Sequence, residues 1–443
     1  MKIKEIRRKI ISMILPITIE NILQMTAGLI SMAMIGRIDE ISISAIGISN
    51  RIIQFIWALF KGIATGVTIL VAQYFGAKNT EKLNKTILQG IISSTLLSLL
   101  FFILVFLNSK TLLLIFNPKP TLLSSASLYL NITSFSIPFI VLMLLTAGIF
   151  QGMGNAKTPM YVTFSMNILN IIFSYLLIFG KFGFPKLGLV GAGISYVTSY
   201  ILASLLGLFL LIKKNKLFNF KPSFEANLIK KIYFLGIPSS FESISWQVAA
   251  IILTRLILSF GETALAAYQV GLQAESISYM PAIGFGVAAT SFIGQAIGAK
   301  NIEDAKLYFK EILKGSILIT SISTILLVFF PKQIMGLLTN SKNIIEIGAL
   351  YLFIMGLVQV PQNMSMVFLG ALRGAGFTQV TMLIALIGLW GIRIPGVILV
   401  SKYLKLGIIY IWIVMALDLL VRFILSIILY KSKDIYTKDV KDL

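Results

Sequence analysis

The chain has 443 residues, 57% of them hydrophobic and only 12% charged, with a formal net charge of +21 and neither cysteine nor histidine. Soluble domains carry about 25% charged residues, so this chain cannot cover a water-facing surface and is read as a polytopic membrane protein solvated by lipid. Disulfides, thiol catalysis, thiolate metal sites and imidazole ligands are excluded, which leaves proton chemistry to Asp, Glu, Lys or Tyr.

The opening MKIKEIRRKI runs straight into an apolar stretch too long and continuous for a cleaved leader. A helix needs ~20 mostly apolar residues to cross a bilayer. Twelve such spans are predicted in chain order: 10–35, 45–75, 86–107, 124–150, 159–180, 187–212, 232–259, 265–297, 312–330, 346–371, 380–400 and 406–430. The expected organisation is an N-lobe over 1–212, a cytoplasmic linker over 213–231, a C-lobe over 232–430 and a cytoplasmic tail over 431–443. With the N-terminus inside, 24 of the 38 Lys and Arg fall in cytoplasmic segments and nine in outer ones. That asymmetry places both termini in the cytoplasm of a cell inner (plasma) membrane. The loop lysines set topology and meet anionic headgroups, and no nucleic-acid partner is expected.

Q-x-x-G-A-K-N occurs twice, at 73–79 and 295–301. At the same offset of 222, Pro16 meets Pro238, Glu20 meets Glu242, Gly62 meets Gly284, Leu128-Tyr129-Leu130 meets Leu350-Tyr351-Leu352, and Gly152 and Gly154 meet Gly374 and Gly376. Six spans per repeat make the repeats parallel, related by an axis along the membrane normal. Two six-helix bundles facing across a cleft, with a midplane site, form the layout of alternating-access transporters. Within the phrase, Gly76 and Gly298 are expected to cap their helices, with Lys78 and Lys300 just beyond, where helix dipole and headgroups favour cations. The alternative is that Gln73 and Gln295 help close a cytoplasmic gate.

Intramembrane charges are costly, so each is a functional candidate. Four acids fall within spans: Glu20, Glu242, Glu275 and Asp418. Five bases do so: Arg51, Lys61, Arg255, Arg393 and Arg422. Asp418 and Arg422 are spaced i, i+4 on span 12 and are expected to form a structural ion pair. Glu20 and Glu242 each follow a span's proline by four residues, so they either satisfy carbonyls freed by the kink or bind a cation or proton. Glu275 has Ile53 as its repeat partner, so symmetry does not explain it, and it is a candidate proton or cation carrier. Lys61, opposite Ile283 in the repeat, is expected to pair with Glu20 at similar depth. GMGNAKT at 152–158 lacks the glycine before the lysine and the buried strand of a phosphate loop, and GAGFTQ lies in no βαβ unit. Transport must therefore be driven by a gradient.

The stretch AAYQVGLQAESISYMPAIGFGVAATSFIGQAIGAKN (266–301) resembles the corresponding region of the multidrug and toxic compound extrusion (MATE) family. So do GALRGAGFT (370–378) and its N-half partner FQGMGNAKTP (150–159). The resemblance implies an all-α membrane protein of twelve helices in two pseudosymmetric six-helix lobes. It implies an antiporter in which Na⁺ or H⁺ influx drives export of organic, amphipathic and often cationic compounds. Many members of that family carry an Asp in span 1 where this chain has Ser31, and a partner Asp in span 5 where it has Ser174, although Asn170 is kept. One branch uses a Glu in span 7 and an Asp in span 10, where this chain has Trp246 and Gln362. Coupling therefore falls to Glu275, Glu242, Glu20, Lys61 or Asn170. Trp57, Trp246, Met280, Gln362 and Asn363 are the expected cavity residues.

The chain is thus read as an ion-coupled multidrug exporter and not an enzyme. It is expected to have no catalytic residue, no metal site and no cofactor beyond Na⁺ or H⁺, and to act as a monomer in the bilayer on small organic substrates. A flippase for lipid-linked precursors is the alternative, but it predicts a strongly cationic cavity, for which only Lys61, Arg255 and Arg393 are at hand. An integral-membrane transferase predicts clustered acids or histidines near one interface. A membrane sensor predicts an appended soluble domain.

Overall fold

The computed structural model of the chain describes residues 2–37, 39–215, 225–433 and 435. Every regular element among them is helical. In order these are α1 (Lys2–Ile35), α2 (Glu40–Gly76), α3 (Thr80–Leu114), α4 (Pro120–Ser134), α5 (Ile137–Gly152), α6 (Lys157–Phe179) and α7 (Gly188–Asn215). There follow α8 (Ala226–Leu258), α9 (Glu262–Gly298), α10 (Ile302–Phe329), α11 (Pro331–Leu338), α12 (Lys342–Gly374), α13 (Thr378–Leu386), α14 (Ile394–Ile398) and α15 (Ile408–Ser432). Eleven helical spans among the described residues are long and apolar enough to cross a membrane. The bent pair α4–α5 makes a twelfth. Of the predicted linker, 216–224 lie outside the described residues, as do 434 and 436–443 of the tail.

Two predicted spans differ in detail. The span expected over 124–150 is broken, its halves bent by 49° between Ser134 and Ile137. Pro138 sits in the first turn of α5, where its missing N–H would be unsatisfied anyway. The span expected over 380–400 runs from Thr378 to Tyr403 and contains two π-helical stretches, Ile387–Arg393 and Leu399–Tyr403. A π turn shifts the register of every side chain after it, and the first of these ends on Arg393.

The chain divides into two compact units. One comprises Ile19–Val71 and Asn79–Ser240, the other Met1–Thr18, Ala72–Lys78 and Phe241–Leu443. The most apolar windows of α2 and α9 are 72% buried and that of α3 only 22%, so α2 and α9 are central and α3 turns its leucines and isoleucines outward. The repeat is visible as equivalent packing. In the first unit a Cβ on Gly152 would strike the Thr68 carbonyl at 2.8 Å, and in the second a Cβ on Gly374 would strike that of Thr290 at 2.6 Å. Thr68 and Thr290 are themselves 222 residues apart. Small residues thus let α5 lie against α2, and α12 against α9, as close backbone approach in a membrane requires.

The phrase Q-x-x-G-A-K-N resolves residue by residue. The helices do end at Gly76 and Gly298, but the left-handed residue is the lysine, with φ +55° at Lys78 and +56° at Lys300. Asn79 and Asn301 then cap the next helices, their side-chain oxygens accepting from Lys82 N and Asp304 N at 3.0 Å each. The glycines serve a different purpose from the expected cap. Within the second unit, a Cβ on Gly76 would overlap the backbone of Gln295, and one on Gly298 would overlap that of Gln73. The ends of α2 and α9 therefore cross in reciprocal backbone contact. Gln73 Nε2 donates to the Gly374 carbonyl at 2.9 Å, tying that crossing to the end of α12.

Candidate functional site

The first unit holds an open cavity of about 270 Å³. Its wall is aromatic and amide-rich: Trp57 comes from α2, Tyr129 from α4, Asn167 and Asn170 from α6, and Tyr196 and Tyr200 from α7. Among the described residues, Glu20 is the only charged one in that wall. It lies one turn beyond Pro16 on α1 and is 8% exposed. Thr163 Oγ1 on α6 donates to Glu20 Oε1 at 3.0 Å, while Oε2 is buried with no hydrogen-bond donor. Eleven residues along α1, ~16 Å at 1.5 Å per residue, Ser31 Oγ donates to Asn170 Oδ1 at 3.0 Å. Ser174 lines the same wall. Ser31, Asn170 and Ser174 thus form a neutral patch, and the Asn170 oxygen already accepts a bond.

The second unit holds the other three intramembrane acids, each supplied with donors. Tyr351 Oη donates to Glu275 Oε2, and Gln359 Nε2 donates to Oε1 at 2.8 Å, both from α12. Tyr268 and Trp412 pack around this pair, with ring centroids 5.6 and 5.0 Å from Tyr351. Glu242 on α8 meets Arg373 at 2.6 Å and accepts a longer bond from Thr381 at 3.5 Å. Asp418 is fully buried and takes Arg422 in bidentate fashion at 2.9 and 2.8 Å. Its Oδ2 also lies 2.6 Å from Arg393 Nε, at the end of the π turn. Trp246 covers both guanidiniums, 4.6 Å from Arg422 and 5.2 Å from Arg393, an arrangement that favours cations over the ring face.

Of the expected residues, Glu20, Asn170 and Trp57 meet at the first unit's cavity. Glu275, Glu242, Trp246, Met280, Gln362 and Asn363 lie in the second unit. There Asn363 is buried and donates to Ser278 and Thr320, binding α12 to α9 and α10, and Met280 is half-buried on α9. The Asp418–Arg422 pair forms as its spacing implied. The expected pair of Glu20 with Lys61 does not: Glu20 bonds Thr163, and the Lys61 ammonium lies over the Trp57 ring at 4.6 Å, on an exposed part of α2. A lysine stem of four carbons reaches an exposed position more cheaply than it pays for burial. Thr163, Arg373 and Gln359 were not anticipated. Tyr129 and Tyr351 were marked as repeat partners, and both prove to line or serve a polar site.

Tyr351→Phe removes one of Glu275's two hydrogen-bond donors and leaves a buried oxygen unmatched. A loss of ~1–3 kcal/mol is expected, read as a lower thermal midpoint of the purified protein, with Gln359→Leu behaving alike.

An all-helical chain with twelve candidate spans, a doubled architecture and buried polar sites is a multi-pass membrane protein built as a transporter. The MatE family model matches residues 16–176 and 238–399, one match per repeat. The "Probable multidrug resistance protein NorM" of Thermotoga maritima is 29% identical over 97% of this chain and 93% of its own length. Its namesake in Haemophilus ducreyi is 30% identical over 89% and 86%. A solved multidrug resistance MATE family transporter of the MOP superfamily, in an outward-facing conformation, superposes with a TM-score of 0.88 at 20% identity, covering 98% of this chain and 97% of that one. The chain belongs to the MATE family of transporters.

Proposed function

We propose that the chain exports organic, amphipathic cations by antiport against Na⁺ or H⁺, with alternating access and both termini cytoplasmic. The observation that carries this reading is the first unit's cavity, with an aromatic and amide wall and a single carboxylate. Aromatic faces attract organic cations, and one acid matches one positive charge. Its volume lies just below the ~300–1,000 Å³ of ordinary small-molecule pockets, which fits a compact planar ligand. Relatives named for multidrug resistance agree with this reading. The absence of Lys and Arg from the wall disfavours the flippase alternative, whose pyrophosphate ligand calls for cations.

Proteoliposomes loaded with ethidium test it. Efflux is expected when an inward Na⁺ or H⁺ gradient is imposed and not in its absence. If neither gradient moves any cationic dye, the antiport reading fails.

A further inference from the structure

Resting on that export reading, we propose that Lys61 sets the charge selectivity of the first unit's cavity. Its ammonium is a tethered cation on the Trp57 ring, which a simple organic cation must displace and with which a substrate's own anionic group pairs. Trp57 lines the cavity from α2, and Lys61 follows it by one helical turn near the middle of that helix. The ammonium lies 4.6 Å from the ring centre, inside the ~6 Å at which an aromatic face holds a cation. The repeat shows that the architecture does not ask for this lysine. At the offset of 222, Trp57 meets Tyr279 and Lys61 meets Ile283. The helix α9, also of 37 residues, thus builds the equivalent turn from an aromatic ring followed by isoleucine. A charge at mid-span is costly in a bilayer and marks function by default. Here the costly side chain is one the fold replaces with isoleucine in its other copy, and it rests on a ring of the cavity wall.

A ring holds one cation well and two badly, because the second charge meets the first. When an organic cation settles against Trp57, the lysine ammonium either swings away on its four-carbon stem or stays and repels the ligand. Lys61 is exposed, so that swing disturbs no packed core. In both cases a plain cation forfeits about one cation–ring contact, which is about two- to fivefold in affinity. A substrate that carries a carboxylate beside its cationic rings meets the opposite balance. Its positive charge is matched by Glu20 in the same wall. Its carboxylate takes the ammonium in a charge-assisted hydrogen bond, which leaves the Trp57 ring to the substrate. Lysine at this position therefore shifts the cavity from plain organic cations towards zwitterions.

The test uses the purified full-length protein in detergent and a matched pair of dyes, unalkylated rhodamine as its methyl ester, a monocation, and as the free acid, a zwitterion at neutral pH. Fluorescence polarisation gives both dissociation constants. Lys61→Met is expected to bind the ester about two- to fivefold more tightly than wild type and the acid more weakly, so that the ratio of the two constants shifts by roughly fivefold. Lys61→Gln, a second neutral variant, should behave alike. Lys61→Arg, which keeps a cation over the ring, should keep the wild-type ratio. In a Trp57→Leu background the gain of Lys61→Met for the ester should shrink, because the ring at which the two cations compete is gone. An unchanged ratio in Lys61→Met and Lys61→Gln, with both dyes still bound, overturns the proposal and leaves the export reading standing. Equal weakening of both dyes would make Lys61 a support of the wall and overturn it as well. If wild type and every Lys61 variant bind neither dye, the export reading fails and the proposal falls with it.

Discussion

Valine in place of Gly76 or Gly298 is expected to prevent accumulation of folded protein. Each glycine faces the backbone of the other copy's glutamine, Gly76 on Gln295 and Gly298 on Gln73, with no room for a Cβ. Ordinary overpacking of a core costs ~1–3 kcal/mol because side chains can shift. Here the obstacle is main chain on both sides of the crossing, so relief requires separating α2 from α9, which also breaks the Gln73 bond to Gly374. The cost should exceed the ordinary range, and Gly76→Ala should already be severe. Gly47→Ala is the matched control: it lies on the same helix with nothing within 4 Å of its added methyl. It should be neutral or stabilise by ~0.5–1 kcal/mol through helix propensity. Protein recovered from membranes, its elution profile and its thermal midpoint check both sides of the comparison. Equal behaviour of Gly76→Ala and Gly47→Ala would remove the crossing from the account of the repeat.

That crossing marks where sequence reasoning runs out. A doubled Q-x-x-G-A-K-N reports that two places in the chain are equivalent, because spacing is all that a repeat contains. It does not report that the two places touch each other. Gly76 and Gly298 do end their helices, as glycine at a C-terminal cap implies, yet the left-handed residues beyond those ends are Lys78 and Lys300. The spans were legible because lipid imposes a length and a composition on every one of them. The break at Ser134–Ile137 was not, because proline alone does not decide it: Pro16, Pro238, Pro281 and Pro361 all lie inside continuous helices. For the candidate site, Asp418 and Arg422 could be joined by helical spacing. Glu20 and Thr163 are 143 residues apart and Glu275 and Gln359 are 84 apart, and no local rule connects them. By depth Lys61 reads as a buried charge, whereas its own position is exposed and its ammonium lies over the Trp57 ring.

Asp418→Asn should be the most destabilising substitution at any of the acids. The aspartate is fully buried and is the shared partner of Arg393 and Arg422, whose side chains are 8% and 10% exposed. Removing one partner of a buried pair costs ~3–5 kcal/mol because the remaining charge stays buried, and here two guanidiniums would remain, stacked beside Trp246. Arg393→Met should be much milder, since Arg422 still makes both of its bonds to Asp418. The combination Arg393→Met, Asp418→Leu and Arg422→Met removes every charge at once and should recover most of the stability lost in Asp418→Asn. Thermal unfolding of the purified variants orders the three. Gly388 sets a limit on this repacking, because a Cβ there would already collide with the Asp418 carboxylate and the Arg422 stem, so the π turn fits only a slim neighbour. If the apolar triple variant folds stably yet loses ethidium efflux, the cluster is retained for transport and not for stability, and the π turn that carries Arg393 to Asp418 belongs to the transport machinery. If it folds and transports as wild type, the three charges are a structural tie that an apolar contact replaces, and the functional polarity narrows to Glu20, Glu242, Glu275 and their donors.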